Sequence, residues 1–386
     1  MENKIATWEK LSNPNSTVEI SFAQGKPNNF VYDIYKKIIK KSLKKGIAKK
    51  YYEIVNYAPA SGIDILKEEI LKIYNDENCR NLNSQDIIIT SGCQQAISIT
   101  IDSLITKQDV VLLENTTYLG IQQYLIQKDI KFLSLPDKIN NLPVVEIEKI
   151  IKIARPKIFY CIPDFHNPTG ESIVLSKRKA IIKLSKKYNF IVLEDLTYRF
   201  LRYSGKNIDS FKKLDNNVIS LGSFSKIICP GLRQGWIAAN KATYNLLIAA
   251  KKNVDLFSSP LNQLTVQNIL FDKADFSKKI SIINSFYGKK MKQTLKYLKQ
   301  YMPENFKWSK PDGGFYIWIQ GPEKFNSKIF YNTLLKKHKV IIMPGYIFYS
   351  DKIRLNTFRL SISEINQNCI EEGISRISRC LKTISY

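Results

Sequence analysis

Lys226 stands in Gly222-Ser-Phe-Ser-Lys-Ile-Ile-Cys-Pro-Gly-Leu-Arg-Gln-Gly-Trp236, just behind two hydroxyls and seven residues ahead of Arg233. A lysine at a strand end can form a Schiff base once it is partly desolvated or set near another cation. Ser223, Ser225 and Arg233 would then supply the donors that a phosphate needs. The plain alternative is one surface lysine among dozens. Glu194-Asp-Leu-Thr-Tyr198 ends another apolar run. A carboxylate there must be paired or face a cation such as a pyridinium nitrogen, or else Asp195 caps a helix. Pro163-Asp-Phe-His-Asn-Pro-Thr-Gly170 reads as a turn after a third strand. Thr90-Ser-Gly-Cys-Gln-Gln95 runs from strand into helix, giving either an anion seat of free N–H groups or a simple Ser/Gly cap.

The elements that must position these residues follow from the apolar pattern. Between about residues 85 and 240, β-branched runs at 86–90, 110–114, 157–162, 190–194, 218–221 and 236–239 alternate with helical stretches. That alternation predicts an α/β fold with a largely parallel, helix-covered sheet, whose ligands gather at the carboxyl ends of the strands. A long helix is expected from Asp275 to about Met302, then strands at 315–319, 340–343 and 358–362 and a last amphipathic helix, together a second, smaller unit. Ile34, Ile38, Ile39, Leu43 and Ile47 recur at helical spacing inside the lysine-rich run from Tyr35 to Lys50, which predicts one buried stripe under a lysine-covered face.

The bulk numbers mainly exclude. In 386 residues, 59 Lys+Arg against 34 Asp+Glu give a net charge of +25. The Lys-Lys pairs are spread along the chain, at 36–37, 186–187, 251–252, 289–290 and 336–337. A nucleic-acid stripe would concentrate them, so solvated faces and a mild attraction for anionic substrates are expected instead. Six scattered cysteines without a C-x-x-C pair and only two histidines, His166 and His338, argue against a metal site and a disulfide framework. No apolar stretch approaches a membrane span and the N-terminal residues lack a secretory apolar core, so a cytoplasmic protein with no membrane partner is expected.

Ten motifs recur in a fixed order: Tyr57-x4-Gly62-x3-Leu66, Ser91-Gly-Cys-Gln94, Glu114-x3-Tyr118, Asn167-Pro-Thr-Gly170, Asp195-x2-Tyr198, Ser223-x-Ser-Lys226, Gly231-Leu-Arg233, Gly313-Gly-Phe315, Pro344-Gly345 and Phe358-Arg-Leu360. In that order the chain resembles the fold-type I aminotransferases dependent on pyridoxal 5′-phosphate, from about Gly25 to Arg359. Pro-Gly-Leu-Arg-Gln-Gly-Trp after the lysine and Asn-Thr-Phe-Arg-Leu near the end are most similar to the 2-aminoadipate and aromatic aminotransferase branch. Thr116, His166 and Lys67 depart from the residues usual there, namely proline, glutamine and arginine.

The resemblance implies a fold-type I transferase. Its large domain, residues 48–284, would carry a mainly parallel seven-stranded sheet, and residues 1–47 and 285–386 would form an N-terminal arm and a smaller α+β domain. It implies that Lys226 carries the cofactor and shuttles the proton between substrate Cα and cofactor C4′. Asp195 would keep the ring nitrogen protonated, Asn167 and Tyr198 would bond the 3′ oxygen, and Tyr118 would stack on the ring. Phosphate would be held by Gly92, Cys93, Gln94, Ser223, Ser225 and Arg233, with Tyr57 reaching in from the second subunit of a homodimer with shared active sites. Arg359 would take the substrate α-carboxylate as a bidentate fork beside Asn167 and the backbone around Gly25. The implied activity moves an amino group between an L-amino acid, aromatic or aliphatic by preference, and a 2-oxo acid such as 2-oxoglutarate. The alternatives are a lyase, oxidase or cyclase of specialised biosynthesis, and a MocR-type ligand-sensing module. The latter is disfavoured because the motifs begin near residue 20. Phe22, Phe30, Tyr346, Phe348 and Tyr349 are expected to line an apolar pocket or to lie in the core.

Overall fold

The computed structural model describes residues 4–14, 17–49, 51–77, 82–351 and 353–384. A short β1 (Ile20–Ser21) precedes the seven strands of the main sheet. These are β2 (Ile87–Thr90), β3 (Val110–Leu113), β4 (Lys131–Ser134), β5 (Ile158–Cys161), β6 (Ile191–Asp195), β7 (Ile219–Ser223) and β8 (Gly235–Ala238). They lie in the order β2-β8-β7-β6-β5-β3-β4. Only β8 runs antiparallel to its neighbours. The expected α/β fold is therefore present.

Alternation along the strands divides the core in two, because successive side chains point to opposite faces. Leu112, Phe159 and Val192 pack on one side with Ile147 and Ile151 of helix Val144–Ala154 and Ile181 of helix Leu175–Tyr188. Val111, Ile158, Tyr160 and Leu193 face the other side with Ala96 and Ile97 of helix Cys93–Leu104. Burial on both faces explains why these strands read as continuous apolar runs. The strand not foreseen is β4. It lies at the edge, with only alternate residues half-buried, and so lacks that run.

The C-terminal part has β9 (Lys307–Trp308), β10 (Tyr316–Gln320), β11 (Val340–Ile341), β12 (Met343–Pro344) and β13 (Thr357–Ser361). Four of these form an antiparallel sheet in the order β12-β13-β10-β9, while β11 pairs in parallel with β1. The expected long and last helices are present as Lys273–Tyr301 and Ile370–Thr383, and the helix Ser327–His338, not foreseen, accompanies them.

Two expectations need correction. In helix Asn29–Lys49 the buried positions are Val31, Tyr35 and Ser42, while Ile34, Ile38, Ile39 and Leu43 are only half-buried; Ile47 lies outside the described side chains. The lysine pairs are solvated at 36–37, 186–187 and 336–337, but Lys251 and Lys290 are buried. Lys251 is paired with Asp255 at 2.5 Å and Lys290 donates to the Ser363 carbonyl at 3.0 Å, so each is offset by a partner. Cys79 lies outside the described residues; the other five cysteines are free thiols. Among the described residues no helix is long and apolar enough to cross a membrane.

Candidate active site

The parallel strands deliver their carboxyl ends to one cavity of about 350 Å³, as the topology predicts. Asp195 ends β6 and Ser223 ends β7, while Asn167 and Tyr118 sit on the turns after β5 and β3. The cavity also takes in Gly25, Cys93, Gln94, Tyr198, Ser225, Lys226, Arg233 and Arg359. Of the residues to which the motif order gives a cofactor or substrate role, Gly92 and Tyr57 do not line it. Gly92 is the N-cap of helix Cys93–Leu104, immediately behind Arg233. Tyr57 is 80% exposed and rests on Phe257, with ring centroids 5.5 Å apart, so it is no core aromatic of its own subunit.

Lys226 is held at the centre. Its Nζ donates to the Gly25 carbonyl at 2.7 Å and lies 6.0 Å from the centre of the Tyr198 ring. Burial lowers its basicity, the cations Arg359 and Arg233 add to this, and Tyr316 and Asp195 oppose it. A lysine so placed reaches its neutral, nucleophilic form at lower pH than a surface lysine.

Of the two alternatives left by the sequence, Asp195 is the cavity carboxylate and not a helix cap, since a turn and no helix follows β6. Oδ1 accepts from the Thr197 N–H at 3.0 Å, whereas Oδ2 accepts from Tyr160 Oη at 3.0 Å and from Cys93 Sγ at 3.3 Å. Tyr160 was not foreseen, since in a buried strand it reads as core and only its hydroxyl reaches the site. Tyr316 was missed too, although it directly follows the Gly313-Gly-Phe315 motif. Its Oη lies 3.0 Å from that of Tyr198. Burial, with Tyr316 next to it, pushes the Tyr198 phenol up, and burial does the same to Tyr118.

Arg359 comes from the second sheet. In the β10–β13 register Arg359 faces Trp318, so Tyr316 two residues away lies on the same side, and the guanidinium carbon sits 4.1 Å from the Tyr316 ring centre and 4.7 Å from that of Phe348. Nη1 donates to Asn167 Oδ1 at 2.8 Å and Nη2 to the Ala23 carbonyl at 2.7 Å, while Nε is buried without a partner. An unpaired buried guanidinium N–H is costly unless a ligand takes it.

Ile5 and Trp8 of helix Lys4–Ser12, together with Leu119 and Phe348, give the cavity an apolar wall. The helix is tied down by Lys4, whose Nζ donates to Gln122 Oε1 at 2.6 Å and to the Tyr349 carbonyl at 2.5 Å. Of the aromatics noted in the sequence, only Phe348 lines the cavity. Phe22 and Tyr349 are core, Phe30 stacks on Phe286, and Tyr346 is half-buried near Lys328.

Residues 19–377 match the aminotransferase class I and II family. The chain belongs to that family. It is 31% identical to an aromatic-amino-acid aminotransferase of Thermococcus litoralis, over 98% of this chain and 91% of the other. Its fold superposes on a kynurenine aminotransferase of Pyrococcus horikoshii with a TM-score of 0.89 at 31% identity, covering 99% and 95% of the two chains. The α-aminoadipate aminotransferase of Thermus thermophilus, solved with N-(5′-phosphopyridoxyl)-L-leucine, gives a TM-score of 0.88 at 27% identity, covering 98% and 94%. The chain is accordingly a pyridoxal 5′-phosphate-dependent aminotransferase of fold type I.

The aminotransferase cavity fits that cofactor. First-turn N–H groups of the helix at Cys93 have no partner within the helix, and with the Ser223, Ser225 and Arg233 donors they make an anion cradle. Gly92 keeps the cradle open: at φ +85° a side chain is strained, and an added Cβ would sit 2.7 Å from Arg233 Nη2. Asp195, with donors on both oxygens, faces the cavity where a ring cation would sit.

Proposed function

We propose that this aminotransferase moves the amino group of an aromatic or aliphatic L-amino acid to a 2-oxo acid such as 2-oxoglutarate, with the residue roles implied by the motif order. The observation that carries the reading is the convergence on one cavity with an apolar wall of Asp195 at the end of β6, Lys226 just past β7 and Arg359 within β13. When bound, pyridoxal phosphate supplies the carbon that takes up the amino group and a ring that accepts the electron pair left at substrate Cα. Gly92, Cys93, Gln94, Ser223, Ser225 and Arg233 would hold its phosphate. Tyr118 would cover the ring, Asn167 and Tyr198 would bond the 3′ oxygen, and Asp195 would fix the ring proton. Lys226 Nζ would take the proton from substrate Cα and return it at C4′. Arg359 and the backbone at Gly25 would orient the α-carboxylate.

Substrate choice is read from the wall. Ile5, Trp8 and Phe348 favour an apolar side chain, and the one further lysine at the rim, Lys26, is engaged by Glu364 at 2.9 Å. We also propose a cytoplasmic homodimer. Tyr51, Tyr52, Val55, Tyr57, Val254 and Leu256 are all about half exposed or more, with Tyr51 against Tyr52 and Tyr57 against Phe257, and such exposed apolar residues fit an interface with a second copy. The division into residues 48–284 and the remainder belongs to this proposal; its second boundary falls inside the continuous helix Lys273–Tyr301. Addition of single amino acids to the holoenzyme without acceptor tests the substrate reading. Aromatic and aliphatic donors should convert the visible spectrum to that of pyridoxamine phosphate at lower concentration than aspartate or glutamate, and the reverse order would overturn it.

A further inference from the structure

Tyr316 touches both halves of the cavity. It opens β10, is 2% exposed, and reaches across to the turn after β6, where its Oη lies 3.0 Å from Oη of Tyr198. The two rings meet edge-on, with centroids 5.6 Å apart and planes at 73°. The Arg359 guanidinium carbon sits over the Tyr316 ring, 4.1 Å from its centre, where the negative face of the ring attracts a cation. Gly25 leaves the hydroxyl its space, because a Cβ there would collide with Tyr316 Oη. The carbonyl of the same Gly25 accepts from Lys226 Nζ at 2.7 Å. One buried side chain therefore abuts Tyr198, Gly25 and Arg359, three residues to which the motif order gives different tasks.

Each phenol carries one hydrogen and accepts through its oxygen. Tyr198 can donate to Tyr316 or into the cavity, but not to both. With Tyr198 turned to the cofactor 3′ oxygen, only Tyr316 can supply the hydrogen of the 3.0 Å contact. The order is then Tyr316 O–H to Tyr198 O–H to the ring oxygen. In a buried chain of this kind each bond polarises the next, so the first donor strengthens the second. The Lys226 nitrogen, once joined to the cofactor, shares its proton with that ring oxygen. A better donor on the oxygen favours its anion, so the shared proton leaves at lower pH. The charged and titratable groups that face the two phenols and Lys226 are Arg359 on β13, Asp195 at the end of β6, Arg233, and Tyr118. All of them stay in place when only the Tyr316 hydroxyl is removed.

We propose that Tyr316 is a positioning residue of the cofactor site, whose hydroxyl donates to Tyr198 and so directs and strengthens the hydrogen bond that Tyr198 gives the 3′ oxygen. This rests on the role given to Tyr198 above.

The test is the pH midpoint of the visible absorbance change of the holoenzyme, titrated for the wild type, Tyr316→Phe, Tyr198→Phe and the double variant. Tyr316→Phe keeps the ring under Arg359 and loses only the hydroxyl. Its midpoint rises by roughly 0.3 pH unit, the share of one hydrogen bond that a polarising neighbour supplies. Tyr198→Phe raises it by about one unit, because a hydrogen bond to a charged oxygen is lost outright. In the double variant the midpoint matches that of Tyr198→Phe, since the Tyr316 hydroxyl no longer has anything to act through. The dissociation constant of propionate, ionised at neutral pH, stays within about twofold in Tyr316→Phe because the ring that carries the guanidinium remains, whereas weakening of about tenfold would show a distorted site and overturn the proposal. If Tyr198→Phe leaves the midpoint in place, the role of Tyr198 fails and the proposal with it. If Tyr198→Phe moves the midpoint while Tyr316→Phe does not, or if the Tyr316→Phe shift persists in the double variant, the positioning role of Tyr316 alone is overturned.

Discussion

Asp195 illustrates how much one side chain depends on neighbours of different kinds. Tyr160 and Cys93 both donate to Oδ2 and the Thr197 N–H donates to Oδ1, so three neutral donors position the carboxylate. Asp195→Ala should keep measurable cofactor affinity through the phosphate cradle yet lose roughly 10²-fold or more in turnover, the usual cost of removing an electrostatic partner. Near-normal kcat in that variant would remove Asp195 from its role. Glu114 and His166 make a second prediction, read in stability. A carboxyl whose folded value is raised to about 8 stabilises fully below its unfolded value of 4.5, and that stability is lost as pH rises through about 8. His166, lowered to about 3, acts oppositely: its contribution is present above 6.5 and is lost as pH falls through 3. Urea unfolding of Glu114→Gln against wild type should therefore favour the variant increasingly from pH 5 to 8, by at most roughly 1.4 kcal/mol per pH unit. A constant difference across that range would contradict the raised carboxyl. At this scale the sequence was legible where chemistry clusters in a motif, as at Ser223, Ser225 and Lys226. It was silent where a core position has a polar tip, as at Tyr160 and Tyr316.

Elements were legible in proportion to burial. Strands β2, β5, β6, β7 and β8 are buried almost throughout, and their apolar runs place them within two residues of the observed ends. Edge strand β4 and helix Lys4–Ser12 were not read, because neither shows a sustained apolar period. The helix buries only Ser12. Yet that weakly patterned helix reaches the cavity with Ile5 and Trp8. Trp8→Ala should raise KM for aromatic and branched donors about tenfold and leave that for alanine within about twofold, since truncating a large aromatic side chain costs a ligand only the apolar contact it made. Equal changes for all donors, measured as KM at saturating acceptor, would show that the helix does not select the side chain.

At the scale of the whole molecule the two sheets contribute unlike halves of the site. The parallel sheet supplies Asp195, Ser223 and Asn167, and the antiparallel sheet supplies Arg359 and Tyr316. Tyr57 contributes nothing to its own cavity, which fits a phenol offered to a second copy. Mixing Lys226→Ala with Tyr57→Phe subunits tests this. In a shared site one pocket of each hybrid dimer carries both defects and the other neither, so activity should exceed the average of the unmixed dimers. Activity that only averages the parents, once subunit exchange is demonstrated, would refute sharing. The account stands most directly on Lys226. Borohydride reduction of the yellow holoenzyme, followed by peptide mapping, should abolish the visible absorbance and leave the pyridoxyl group on Lys226; a label on any other lysine would contradict it.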